Sequence, residues 1–229
     1  MKPFKLTPLE RHWILYDIGN SAFILLVATL LPIYFNALAE GAGLSESNYL
    51  AYWGYAGSVS TLLVAVIAPI CGTLADQKGF KKPLFLLCML LGALGCAALG
   101  GAWSWLSFLV IFVIAKVGYS SSLVFYDSML TEVTTQDRMD KISSMGYAYG
   151  YIGSVIPFVI CLGLVLGYEL IGISQVTALI ISFVITALWW IGCSVPLAKS
   201  YQQKAFQKTE GNPVAATFRQ LGKTFLEAK

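Results

Sequence analysis

Six polar residues stand inside long apolar stretches of this chain: Asp17, Asn20, Lys116, Ser120, Tyr126 and Asp127. An ionised side chain in hydrocarbon costs a few kcal/mol or more near the centre, so such groups face an aqueous cavity or one another. Asp17 and Asn20 are spaced i, i+3 and share a helix face. Lys116 and Asp127 lie eleven residues apart, three helical turns, which puts them on one face about 16 Å from each other. Ser120 falls between them, with Tyr119 and Tyr126 flanking. The chemistry open to this set is the binding of a small solute or a coupling ion by charge and hydrogen bonds. Asp17 and Asp127 also stand near enough to an interface to snorkel or to cap a helix. Lys116 is too deep for that, since its side chain reaches about 6 Å against a half-core of about 15 Å. For it the readings are a cavity-facing charge or a structural ion pair.

Other chemistry is poorly supplied. His12 is the single histidine and sits at a span edge, which leaves no histidine triad and no histidine metal site. Cys71, Cys88, Cys96, Cys161 and Cys193 all lie inside apolar runs, with no CxxC or metal-ligand spacing, and read as small buried residues. Without a nucleophile–base pair, no enzyme activity, cofactor or metal is expected. Gly222-Lys223-Thr224 has the look of a phosphate loop, but Thr217 occupies the position of its first glycine, so nucleotide binding is not expected.

The elements that must position the six residues are long and apolar. The chain is 57% hydrophobic and 12% charged, with mean hydropathy +0.72. Six runs are marked off at about Trp13–Leu38, Tyr49–Ala75, Pro83–Ala102, Trp105–Leu130, Ile142–Tyr168 and Gly172–Ala198. Each exceeds or matches the roughly 20 residues that cross a bilayer core as a helix, and all are too long for barrel strands. An all-α integral membrane fold of six transmembrane helices follows.

Fourteen of the fifteen Lys and Arg residues fall on one side of these spans, Lys116 being the exception. They lie before span one, between two and three, between four and five, and after span six, whereas the opposite connections carry Glu40, Glu46 and Glu169. Basic loops are retained in the cytoplasm, so both termini are expected there. That bias accounts for the net charge of +3 without any nucleic acid. The first span is too long for a signal-peptide core and should persist in the mature protein. Thr131–Lys141 is expected to form a short surface helix. Residues 199–229 form a cytoplasmic linker or tail, in which Val214, Phe218, Leu221 and Phe225 make one apolar stripe of an amphipathic helix after Asn212-Pro213.

Two further patterns concern packing and the cytoplasmic turn. Gly146, Gly150, Gly153 and Pro157 recur at i, i+4, i+7 and i+11 on span five, a small-residue row that admits a neighbouring helix closely. Between spans two and three the order is Gly72-Thr73-Leu74-Ala75-Asp76-Gln77-Lys78-Gly79-Phe80-Lys81-Lys82-Pro83-Leu84. Gly72 allows helix contact, Asp76 ends the span with an anion, Gly79 permits a tight reversal, and Lys81 and Lys82 hold the loop inside.

This loop resembles the signature G-x-L-A-D-r-x-G-r-k-x-x-l of the major facilitator superfamily, with Gln77 and Phe80 at two basic positions. The resemblance sharpens at Tyr16-Asp17-Ile18-Gly19-Asn20-Ser21-Ala22-Phe23, at Phe125-Tyr126-Asp127-Ser128-Met129-Leu130, and along Ile142–Gly153. These are similar to motifs of the vacuolar-effluxer-like group, which includes a fungal autophagy-related amino-acid effluxer and bacterial relatives. Asp127 stands where that group usually has Asn, and Tyr151 replaces the proline of the antiporter signature. The resemblance implies two three-helix repeats forming the N-terminal half of a major facilitator fold, with spans one and four lining the cavity. It implies a secondary transporter that moves a small solute, amino acids by analogy, by alternating access. Gly72, Asp76, Gly79, Lys81 and Lys82 would then serve as a conformational latch. The implied partners are membrane lipid, the solute, and a missing second half or a second copy in a homodimer. The implied location is a bacterial inner membrane. A non-transporting six-span scaffold or receptor that self-associates through the span-five glycines is the alternative.

Overall fold

The computed structural model describes residues 5–206; the tail stripe at Val214–Phe225 lies outside them. Helix α1 (Pro8–Ala28) starts at a capping box, in which Thr7 Oγ1 accepts from Glu10 N at 3.2 Å and Glu10 Oε2 accepts from Thr7 N at 2.7 Å. It stops at Thr29, and α2 (Leu30–Gly41) completes the first span. The cause of the break is Pro32, which has no N–H to give to the carbonyl four residues back. Thr29 Oγ1 donates to Leu25 O at 2.5 Å.

The remaining spans are α3 (Glu46–Ala75), α4 (Lys81–Ala98), α5 (Trp105–Val133), α6 (Met139–Leu166) and α7 (Gln175–Ser200). Polar caps at Ser104 and Ser174 accept from backbone amides three residues on, which starts α5 and α7 cleanly. The expected surface helix over Thr131–Lys141 is not formed. Helix α5 runs on to Val133, and a single 3-10 turn at Gln136–Arg138 leads into α6. Glu132 is the reason: its side chain is buried and bonded, which holds the last turn of α5 in the bundle.

The packing is an exchange between two three-helix units. Helix α1 lies against α6 and α7, while α5 lies against α3 and α4. Thus the first helix of each unit packs on the second and third of the other, as nested repeats do. Contact between α4 and α7 closes the middle. Helices α4 and α5 approach closely at Gly118, where a Cβ would sit 2.6 Å from Gly92 N. Helix α1 fills the glycine row of α6. A Cβ on Gly146 would meet Trp13 at 2.7 Å, one on Gly150 would meet Asp17 and Ser21 at 3.0 Å, and one on Gly153 would meet Ile18 at 2.5 Å. Pro157 is buried within a continuous α6.

At the end away from the N-terminus an aromatic cluster locks α2, α3 and α5. Phe35 stacks near Trp53 and Phe108, Trp53 stacks on Phe112 at 4.5 Å, and Tyr52 stacks on Trp105 at 4.9 Å. The outer faces of α3 and α6 stay open, with Leu62, Val66, Ile152 and Ile156 all exposed.

Candidate functional site: a carboxylate-lined cleft and a bonded basic end

Helices α1, α5 and α6 enclose a cleft of about 270 Å³. From α1 come Trp13, Asp17, Asn20 and Ser21, from α5 Tyr119, Tyr126 and Asp127, and from α6 Ser143, Tyr147, Tyr151 and Ser154. The aromatic walls are fixed by mutual contact. Trp13 stacks on Tyr126 with ring centroids 4.2 Å apart and planes 11° from parallel, and its Nε1 donates to Tyr126 O at 3.1 Å. Tyr147 and Tyr151 meet edge-on at 4.8 Å. Below them, Tyr16 and Ser122 share a buried hydroxyl hydrogen bond of 2.7 Å that ties α1 to α5.

The polar groups of the cleft are short of partners. Asn20 Nδ2 donates to Tyr16 O at 3.1 Å and to Asp17 Oδ1 at 3.3 Å, the only bond that Asp17 receives among the described residues. Asp127 receives none and is exposed to the cleft. The Tyr126 hydroxyl is buried and has no hydrogen-bond partner among the described residues, a state that costs about 1–3 kcal/mol. No Lys or Arg lines the cleft among the described residues. Two carboxylates, an orphan hydroxyl and aromatic faces form a surface that can hold a cation and exclude an anion.

The structure therefore brings Asp17, Asn20, Tyr126 and Asp127 together. Lys116 and Ser120 do not reach the lining. The Lys116 Nζ lies 5.9 Å from the centroid of the Phe112 ring one turn earlier and has no carboxylate partner among the described residues. Four wall residues on α6 escaped the sequence reading, although Ser143, Tyr147, Tyr151 and Ser154 recur at i, i+4, i+8 and i+11 beside the glycine row.

At the other site, the basic end, the α3–α4 turn, the ends of α5 and α7 and the start of α1 meet. Gly79 has φ +80°, which a side chain would strain, and its amide donates to Gln203 Oε1 at 2.9 Å. Lys81 Nζ bonds Glu132 Oε1 at 2.6 Å, both side chains being nearly inaccessible at 5% and 3%. Glu132 also accepts from Tyr201 OH at 2.9 Å, from Ala205 N at 3.1 Å and from Lys204 N. Lys82 Nζ donates to Tyr201 O at 3.1 Å. Asp76 caps α3 but is exposed, and Gly72 faces open space, where a Cβ would touch nothing. The close helix contact expected at Gly72 is thus absent among the described residues. A second pair joins buried Glu10 to the partly exposed Arg138 at 2.7 Å, with Thr134 Oγ1 donating to the same carboxylate at 2.6 Å. Glu10 and Glu132 were both missed in the sequence. Only Glu10 had a signal there, the Thr7-x-x-Glu10 capping box.

Among the described residues no cluster of three or more His, Cys, Asp or Glu could hold a metal, and the five thiols are free. Six helices are long and apolar enough to span a membrane. A curated relative, the uncharacterized MFS-type transporter YxiO of Bacillus subtilis (strain 168), is 37% identical over 225 residues, covering 96% of this chain and 53% of the relative. The chain spans about half the length of that relative. The model of the family described as "Vacuole effluxer Atg22 like" matches residues 43–229, most of the chain, and the chain belongs to that family.

Proposed function

We propose that this chain is one half, the N-terminal one, of a secondary transporter that exports a small solute by alternating access. The observation that carries the reading is the cleft between α1, α5 and α6, where among the described residues Asp127 and the Tyr126 hydroxyl lack protein partners and Asp17 has Asn20 alone. A protein that only had to hold itself together would gain by pairing or removing those groups. Further support comes from the exchanged repeats, from the major facilitator signature between α3 and α4, and from the transporter name of the relative. The solute class is amino acids or compounds like them, which carry an ammonium group complementary to the carboxylates of this cleft. The open faces of α3 and α6 fit contact with lipid and with a second half or a second copy of the chain. The basic residues gathered at one end fit an orientation in a bacterial inner membrane with both termini in the cytoplasm.

The scaffold reading loses its main support, because the glycine row it would use for self-association is filled by α1. The test is counterflow in proteoliposomes loaded with unlabelled amino acids. Labelled solute should accumulate with the wild-type chain and fall to background with Asp17→Asn and Asp127→Asn combined. No accumulation above protein-free liposomes with the wild-type chain returns it to a non-transporting role, and equal accumulation with both chains removes the two carboxylates from the transport path.

A further inference from the structure

We propose that the cleft reads the protonated amine of its solute and rejects a free carboxylate on it, so that amines bind in preference to zwitterionic amino acids. This rests on the transport reading and narrows its solute class. Three observations converge. The carboxylates of Asp17 and Asp127 face one small space, and among the described residues no basic side chain faces it with them. The Tyr126 ring forms a wall of the same space, and its hydroxyl, on a residue 3% exposed, has no partner. Trp13, Tyr119, Tyr147 and Tyr151 complete a largely aromatic enclosure. An ammonium has three donors and a charge; two carboxylates and a phenolic oxygen accept the donors, and ring faces attract the charge. Ile24, Leu25 and Leu123 at the same cleft offer apolar surface to a hydrocarbon tail.

A carboxylate on the solute would enter a space already holding two of its own sign, with no cation beside it among the described residues. Lys116 does not supply that cation. It sits on α5 eleven residues from Asp127, about 16 Å along the helix, whereas the amine and carboxylate of an α-amino acid are separated by one carbon. An α-amino acid held at Asp127 by its amine therefore cannot place its carboxylate on Lys116.

The test is direct binding, which needs no transport. Calorimetric titration of the chain in phosphatidylcholine nanodiscs, corrected against empty discs, compares phenethylamine, phenylalanine and phenethyl alcohol, which share one ring and differ only in charged groups. Phenethylamine is expected to bind at least about tenfold tighter than either of the others, a difference of about 1.4 kcal/mol. Asp17→Asn and Asp127→Asn should each remove that advantage while leaving the weak alcohol signal. Tyr126→Phe, which keeps the Trp13 stack and takes away only the hydroxyl, should weaken the amine alone. Thermal unfolding of each variant shows that the fold is retained. Phenylalanine binding as tightly as phenethylamine overturns the inference but leaves the transport reading in place. Binding of none of the three overturns the inference, while counterflow decides the transport reading separately. An ammonium is also carried by phosphatidylethanolamine, so nanodiscs containing that lipid are the second arm. Loss of phenethylamine binding there would assign the cleft to a headgroup and overturn the free-solute proposal.

Discussion

Glu132 accepts from four donors, whereas Asp127, five residues earlier on the same helix, accepts from none among the described residues. One turn and a half of α5 separates a carboxylate that is sealed into the protein from one that waits at a cleft. The basic end is built so that each buried charge meets its complement: Glu10 with Arg138 and Thr134, Glu132 with Lys81 and Tyr201. The cleft is built the other way: among the described residues Asp17 is held only by Asn20 and the Tyr126 hydroxyl by nothing. Residue type does not distinguish the two regions; partner supply does. Groups satisfied internally set the shape of the molecule, and groups left short are those that a ligand can satisfy.

The strongest way to break this contrast is to remove one carboxylate from each region. Glu132→Ala leaves Lys81 buried and unpaired, and should cost about 3–5 kcal/mol in unfolding followed by tryptophan fluorescence in detergent. Asp127→Ala should stay within about 0.5 kcal/mol of wild type in the same assay. Similar losses for both would show that the cleft carboxylate is structural after all.

A smaller effect is expected from helix contacts. Gly118→Ala forces a methyl to within 2.6 Å of the α4 backbone and should destabilise by about 1–3 kcal/mol. Gly72→Ala meets open space and should be neutral or stabilising by up to about 1 kcal/mol. A large loss at Gly72 would mean that a partner surface covers it.

Lys116→Ala sharpens the comparison from the opposite charge. With no carboxylate partner among the described residues, its removal should leave stability unchanged within about 0.5 kcal/mol. Counterflow should still fall strongly, because an intramembrane charge is lost. Wild-type counterflow in that variant would remove Lys116 from the transport path. The least perturbing experiment fixes which side the bonded end faces. In a background without native cysteines, a cysteine at exposed Gln136 should resist an impermeant maleimide in intact cells, and one at Ser45 should react. Gln77 is unsuitable as a reporter, since it is 4% exposed and would resist from either side. Labelling of Gln136 from outside would invert the orientation.

What the sequence made legible follows the range of each interaction. The Asp17–Asn20 bond is a local i, i+3 contact, and the reversal at Gly79 is a property of one residue, so both could be read from spacing. The Lys81–Glu132 pair joins residues 51 apart, and no local pattern marks Glu132 as the acid that Lys81 will find. Lys116 and Asp127 do share a helix face, yet the cleft follows the line where α1 and α6 cross α5, and that crossing leaves Lys116 outside the lining. Tyr147 and Tyr151 were obscured for a similar reason: which face of α6 meets a cavity depends on how α1 seats in the glycine row. The break at Thr29 had its cause in plain view at Pro32, but an unbroken apolar run concealed it.

That break gives span one the mechanics of a jointed rod. Its α1 segment carries Trp13, Asp17, Asn20 and Ser21 on the cleft, while its α2 segment is clamped by Tyr34 and Phe35 among the rings of α3, α5 and α7. Torque applied to α1 by a bound solute can be absorbed as changed φ and ψ at Thr29, which is already outside helical geometry at −129° and −71°. The aromatic end is expected to stay still while the segment beneath it moves against the row of Gly146, Gly150 and Gly153, which Trp13, Asp17, Ser21 and Ile18 fill.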